Sequence, residues 1–278
     1  MSHLWIQVLK ILSILLSLAL NDSALGMPSA SMVVGGTVIS PKFESDQSLA
    51  VYELNIENGR FNVHCTGVAW QANTLLTSAH CIDQKEHSKI SVKVTDLYGK
   101  KKSYKPTQIR IHPEFNPEKT FSKYDLALLT FDESIFSFQA EFIGSDYMSR
   151  KGDEVTVIGF GGNQYVLDEE EIAFRGRGIK RSGQNSIMLA WPDGRFLLKG
   201  SVFKETGLGI FEEAVSADGD SGAPVFNTQG QVIGIIVAGS IQATETDKPI
   251  ARSYVTHISL DTILDISLSP EIDFGETP

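Results

Sequence analysis

The chain reads Asp218-Gly219-Asp220-Ser221-Gly222-Ala223-Pro224 shortly before a strongly apolar segment, Val232–Ala238. Taken alone, such a stretch is a turn, because Gly, Asp and Ser each favour turns for their own local reasons. Its serine gains chemical meaning beside two other stretches. Leu75-Leu-Thr-Ser-Ala-His80-Cys81 is a strand-like run ending in a histidine, and Tyr124-Asp125-Leu-Ala-Leu-Leu129 opens an apolar run with an aspartate. A serine hydroxyl is a weak nucleophile at neutral pH and needs a base to take its proton. Histidine has the pKa for that task, and its second ring nitrogen needs an anion to fix the tautomer and stabilise the imidazolium. Glycine beside the serine lets backbone N–H groups face a developing oxyanion. All four parts are present, in the order His80, Asp125, Ser221.

Outward from these stretches, short apolar or alternating runs recur with turn residues between them: Leu49–Ile56, Val63–Trp70, Ile90–Val94, Ile109–Ile111, Leu126–Phe131, Val155–Ile158, Ile187–Trp191 and Val232–Ala238. This spacing predicts an all-β fold of sandwich or barrel type, and no long amphipathic helices alternate with the strands. One helix is expected at the C-terminus, about 259–267, with Ser259 as N-cap and Leu260, Ile263 and Leu264 at helical spacing. The acidic run Asp168–Glu171 reads as a solvated loop. Gly159-Phe-Gly-Gly162 is glycine-rich, but no helix follows it, so it does not read as a phosphate cradle.

The composition narrows the function. The chain has 278 residues, with 24 Lys+Arg against 34 Asp+Glu and a formal net charge of −10. That balance argues against a general nucleic-acid binder, since phosphate backbones reward positive charge. Two cysteines, Cys65 and Cys81, exclude a disulfide scaffold and a four-cysteine zinc site. Near the start, Lys10 precedes the apolar run Ile11–Leu20, and Ala24-Leu25-Gly26 fits a small-x-small cleavage pattern. Residues 1–26 therefore read as a secretory signal peptide rather than a membrane anchor, because Gln7 and Lys10 interrupt the apolar stretch. The expected location is secreted, extracellular or periplasmic, with no stable membrane anchor.

Together these motifs resemble the secreted trypsin-like (chymotrypsin-fold) serine endopeptidases, over essentially all of the chain after the signal region. Val33-Val-Gly-Gly36 resembles the family's mature N-terminus, and Thr77-Ser-Ala-His80-Cys81 its histidine motif. Ile111-His-Pro-Glu-Phe-Asn116 with Asp125-Leu-Ala-Leu-Leu129 resembles the aspartate region, Gly219-Asp-Ser-Gly222 the serine motif, and Val232–Gly239 the strand after it. The resemblance implies two six-stranded antiparallel β-barrels with a C-terminal helix, in a peptidase domain 33–278. Its first barrel would span about 33–145 and its second about 146–257. It implies Ser221 as nucleophile, His80 as general base and Asp125 as orienting carboxylate, with the N–H groups of Gly219 and Ser221 as oxyanion hole. It also implies a disulfide between Cys65 and Cys81; two free thiols, or a metal pair with His64 and His80, stay open. The mechanism requires no cofactor and no metal. The implied partners are protein or peptide substrates, an activating protease or a protein inhibitor, acting on a monomer.

Activation and specificity follow from the same resemblance. Val33 would be the freed amine that pairs with Asp220, after loss of a propeptide 27–32 ending in Met32 rather than Arg or Lys. Val215 would floor the primary pocket, with Ser216 beside it and Val237 and Gly239 along its wall. A valine floor disfavours cleavage after Lys or Arg and favours a small or medium apolar side chain, at about 0.8 kcal/mol per buried methylene. Arg252, on the segment resembling the far wall, would favour an acidic residue if it pointed inward. An inactive, protease-like binding module is the reading from another class.

Overall fold

The computed structural model describes residues 37–39, 45–58, 61–82, 89–95, 100–119, 121–162, 164–167, 172–205, 208–211, 213–242 and 250–271. The expected signal segment 1–26 and propeptide 27–32, Val33 and the acidic run 168–171 lie outside them. The described residues all fall within one unit, Ser31–Pro278.

β1 (Thr37–Val38) precedes a short helix, Asp46–Leu49, capped by the Ser45 side chain. β2 (Val51–Asn58), β3 (Phe61–Gln71), β4 (Thr74–Thr77), β5 (Lys89–Thr95), β6 (Lys101–Tyr104), β7 (Gln108–Ile111) and β8 (Ala127–Thr130) form a seven-stranded antiparallel sheet in the order β6-β5-β2-β3-β4-β8-β7. β9 (Glu154–Gly159) belongs to a second sheet. β10 (Gln164–Leu167) and β11 (Ile172–Arg175) make a separate hairpin. β12 (Arg181–Ala190), β13 (Phe196–Glu205), β14 (Leu208–Phe211), β15 (Pro224–Phe226), β16 (Val232–Gln242) and β17 (Ile250–His257) return to the second sheet, ordered β1-β12-β9-β15-β16-β17-β13-β14. A further β12–β13 pairing closes six of these strands into a ring. The fold is therefore all-β, with two barrel-like sheets and a C-terminal helix, as expected. The first sheet is the more open: among the described residues nothing pairs its edge strands β6 and β7 with each other. β1, early in the chain, joins the second sheet through β12.

The period of two in the strands divides neighbouring residues between cores. In β4, Leu75 packs inside the first sheet with Leu54, Ile56, Val92 and Leu129. Its neighbour Leu76 packs in a middle core with Val51, Val68, Leu128, Phe226 and Ile235, drawn from both sheets. In β16, Ile233 and Ile236 face the second barrel's interior with Val157, Phe196 and Val255, while Val232 and Ile235 face the middle core. Strands buried on both faces explain why these runs read as continuously apolar. Each such Leu or Ile contributes about 1.5–3 kcal/mol relative to exposure.

The C-terminal helix, Leu260–Ser267, starts where expected, with the Ser259 hydroxyl accepting from the N–H of Thr262. Its buried stripe differs from the expected one. Ile263 and Ile266 enter the middle core, whereas Leu260 and Leu264 are exposed. The helix is docked through the i, i+3 pair, which turns the two leucines to solvent.

Candidate active site

His80 sits in a short 3₁₀ turn, Ala79–Cys81, directly after β4. Its entry is pinned to the second sheet, because the Ser78 hydroxyl donates to the Ile236 carbonyl at 2.9 Å. Its exit is pinned to β3 by a disulfide, Cys65–Cys81, with Cα atoms 6.5 Å apart. The two sulfurs are bonded to each other, so neither is a free thiol or a metal ligand. His64 is engaged elsewhere, with Nδ1 3.3 Å from the nearly buried Glu53, which also receives Lys93 at 3.0 Å.

Asp125 lies just before β8, 6 % exposed. Its carboxylate holds His80 twice. The backbone N–H of His80 donates to Oδ1 at 2.8 Å, and the ring Nδ1 lies 2.6 Å from Oδ2. A carboxylate can only accept, so Nδ1 carries the proton and Nε2 keeps its lone pair. That is the tautomer a general base needs. The loop carrying Asp125 is tied to the second sheet by the Thr256 hydroxyl, which donates to the Ser122 carbonyl at 3.1 Å.

Ser221 comes from the second half of the chain, in the turn ahead of β15, and is half-exposed. Its carbonyl accepts from the N–H of Thr66 at 2.8 Å. The Thr66 hydroxyl donates to the Gly219 carbonyl at 2.9 Å and accepts from the N–H of Phe160 at 3.2 Å. The Thr77 hydroxyl in turn donates to the Thr66 carbonyl at 2.8 Å. With both carbonyls turned towards Thr66, the N–H groups of Gly219 and Ser221 are left without an acceptor among the described residues. Gly219 has φ +102° and Gly222 φ +83°, and a Cβ at Gly222 would strike the Thr66 carbonyl and the Thr77 hydroxyl. Cys81 Sγ lies 3.9 Å from His80 Nε2 and 3.9 Å from the Ser221 carbonyl, which brings histidine and serine to the same spot. No hydrogen bond joins Ser221 Oγ to His80 Nε2; such bonds often tighten only with substrate bound.

The pocket residues divide. Val215 is 1 % exposed and packs against Gly200 of β13. The N–H of Ser216 donates to the Ser253 hydroxyl at 2.6 Å, and the Ser216 hydroxyl, without a partner among the described residues, faces the bare Cα of Gly239. Val237 is buried where the β16–β17 register shifts. Gly239 pairs with Ser253 and Ser240 with Arg252. Residues paired across strands share a face, so Ser253 shares the face of Gly239 and Ser216, and Arg252 the opposite one. There the Arg252 guanidinium donates to Gln242 Oε1 at 2.8 Å, on the exposed side.

Asp220 is fully buried, with Oδ1 accepting from the N–H of Gly161 at 2.8 Å and Oδ2 from that of Ala217 at 2.9 Å. Burial pushes its carboxyl up to about 6, against the pull of these two N–H groups and of Arg181. A Cβ at Gly159 or Gly161 would collide with this carboxylate, so the glycine-rich Gly159–Gly162 stretch is the space Asp220 occupies. Thr66, Arg181 and Ser253 were not singled out by sequence reasoning. A threonine beside the first cysteine, and single polar residues in strands, carry no local signal.

Comparison with known proteins gives the family and the fold. The trypsin family model matches residues 43–260. Among solved structures, the chain is similar to neuropsin, a serine protease expressed in the limbic system of mouse brain, at 19 % identity and a TM-score of 0.57, covering 82 % of this chain and 96 % of that one. It is also similar to human heparin binding protein, at 16 % identity and a TM-score of 0.57, covering 88 % and 99 %. Comparison with curated proteins gave no match. The family match spans most of the chain: it belongs to the trypsin family of serine endopeptidases.

Proposed function

We propose that this chain hydrolyses peptide bonds through His80, Asp125 and Ser221, by way of an acyl-enzyme. His80 Nε2 takes the proton from Ser221 Oγ as that oxygen attacks the scissile carbonyl. The new oxyanion is received by the N–H groups of Gly219 and Ser221. Protonated His80 gives its proton to the leaving amine, the C–N bond breaks, and water repeats the sequence on the acyl ester. The observation that carries this reading is the double hold of Asp125 on His80, which leaves Nε2 as the free base.

For specificity we infer a small or medium apolar residue on the acyl side of the cut bond. The buried Val215 has no charge to offer a Lys or Arg, and Arg252 is turned to Gln242 on the far face of β17. Secretion is part of the same reading, supported by the signal-like segment 1–26 and by a disulfide that suits an oxidising compartment. A serine-directed fluorophosphonate tests the catalytic assignment. It should label the wild-type chain at Ser221 and leave Ser221→Ala unlabelled; a folded wild type that does not label while a control protease does would return the chain to the binding-module reading.

A further inference from the structure

The C-terminal helix, Leu260–Ser267, is apolar on two sides. Ile263 and Ile266 enter the middle core. On the other side stand Leu260, Leu264 and Leu268, which are 42 %, 49 % and 85 % exposed. Residues four apart on a helix are neighbours, so these leucines form one stripe rather than scattered single exposures. Leu268 belongs to it as the C-cap, whose N–H still donates to the Leu264 carbonyl at 3.1 Å. A surface helix ordinarily turns polar and charged groups to water. Here the water-facing side carries leucines, edged by the exposed Asp261 and Asp265, and the helix has no basic residue. Its first turn is fastened to a second feature of the same chemistry. The N–H of Leu260 donates to the Ile143 carbonyl at 3.3 Å, and Ile143 lines an open pocket of about 600 Å³. The lining includes Tyr147, the half-exposed Met148 and the carboxylates of Asp146, Asp153 and Glu154, with Arg150 as its one basic side chain among the described residues. The Tyr147 ring stacks on His257 at 6.2 Å and donates its hydroxyl to Asp153 at 3.2 Å.

We propose that this helix face and the adjoining pocket are a docking surface for a basic amphipathic segment of another protein. Its apolar side chains lie on Leu260, Leu264 and Leu268, and its Lys or Arg side chains face Asp261, Asp265 and the pocket carboxylates. None of these residues belongs to the candidate triad or the candidate specificity pocket, so the surface selects a partner independently of the bond that is cut. Charge complementarity decides among the occupants. A second copy offering the same face sets Asp261 and Asp265 against their like, which is unfavourable. A second copy offering its basic edge, with Lys101 and Lys102 exposed on β6, supplies the charge but not the rest. Among the described residues, β5 and β6 carry no large exposed apolar side chain to meet the stripe. An anionic lipid surface is repelled by the same carboxylates. A basic amphipathic segment satisfies the leucines and the aspartates together.

The test uses the full chain and a fluorescent peptide of about 18 leucine and lysine residues, patterned to give one apolar stripe at the helical period. A scrambled peptide of the same composition keeps the charge and loses the stripe. Binding is read by fluorescence anisotropy, self-association by sedimentation of the chain alone, and folding of each variant by circular dichroism. No step uses the triad, so the result stands apart from the catalytic assignment. Wild type should bind the patterned peptide about tenfold or more tightly than the scrambled one. Leu264→Ser combined with Leu268→Ser should bring the two peptides within about twofold of each other. Asp261→Asn combined with Asp265→Asn should weaken the patterned peptide by about threefold or more at low salt, and by less at high salt. Should the double leucine variant not fold, Leu268→Ser alone, at the most exposed position, takes its place. Equal binding of the two peptides by wild type overturns the proposal, as does an undiminished preference in the leucine variant. A wild-type dimer that the leucine substitutions dissociate overturns it in favour of a second copy. Binding to phosphatidylcholine vesicles that the same substitutions abolish overturns it in favour of a lipid surface.

Discussion

At the residue scale the site depends on a few hydrogen bonds whose loss has different signatures. Asp125→Asn keeps the shape of the site but offers an N–H where His80 Nδ1 needs an acceptor. The expected loss is about 10⁴-fold in kcat with little change in KM, measured with the best peptide substrate. Thr66 makes a subtler case. Its hydroxyl bridges the Phe160 N–H and the Gly219 carbonyl, in a position with no solvent access. Thr66→Val keeps the volume and removes both bonds, leaving those groups unpaired. It should cost about 2 kcal/mol of stability by denaturant titration, and it should lower kcat more than it raises KM, because the Gly219 peptide is then free to turn. Thr66→Ser keeps the hydroxyl and should retain activity within a few-fold. Equal losses in both variants would mean that the methyl packing, not the bond, holds the turn.

At the element scale, β16 and β17 show why the candidate pocket is harder to read from sequence than the candidate triad. The three motifs of the proposed triad are each contiguous in sequence, so His80, Asp125 and Ser221 could be picked out one stretch at a time. Which side of β17 faces the pocket depends on a register, and the β16–β17 register shifts between Ile236 and Ala238. In a period-two element a one-residue displacement exchanges the faces. Sequence counting therefore leaves Arg252 free to point inward, whereas the pairing of Gly239 with Ser253 puts Ser253, not Arg252, on the face shared with Gly239. The C-terminal helix repeats the lesson: its cap at Ser259 was readable, but its docked face, Ile263 and Ile266, depended on a middle core built from both sheets. The register makes a direct prediction. Arg252→Ala should leave the ratio of kcat/KM for small apolar over acidic peptides unchanged within about twofold in a peptide-library assay. A collapse of acidic cleavage in that variant would put the guanidinium in the pocket after all.

At the scale of the whole molecule, residues far apart in the chain meet at one buried electrostatic knot behind the turn that carries Ser221. The all-β class followed from alternation, and the candidate triad from its motifs. Arg181 and Thr66 did not, because the partners Gly161 and Gly219 lie 20 and 153 positions away in sequence, and a single buried charge has no periodic signature. This knot gives stability a pH dependence whose sign differs from the usual carboxylate. Asp220 titrates near 3.8 in an unpaired state and at about 6 in the fold, raised by burial. Between these values the folded chain binds more protons than the unfolded one, so this group's contribution falls as pH rises through the window and is level above it. At 1.36 kcal/mol per pKa unit the difference is about 3 kcal/mol. His112 and His257, both lowered by burial, act oppositely, because the unfolded chain then binds more protons below about 6.5. A difference between two proteins that share those histidines isolates the aspartate. The unfolding free energy of Asp220→Asn minus that of wild type should rise by about 3 kcal/mol from pH 4 to pH 7, with the change concentrated between pH 4 and 6. An offset that stays constant across this range would mean that Asp220 is ionised in the fold well below pH 6, with Arg181 and the two backbone N–H groups outweighing its burial.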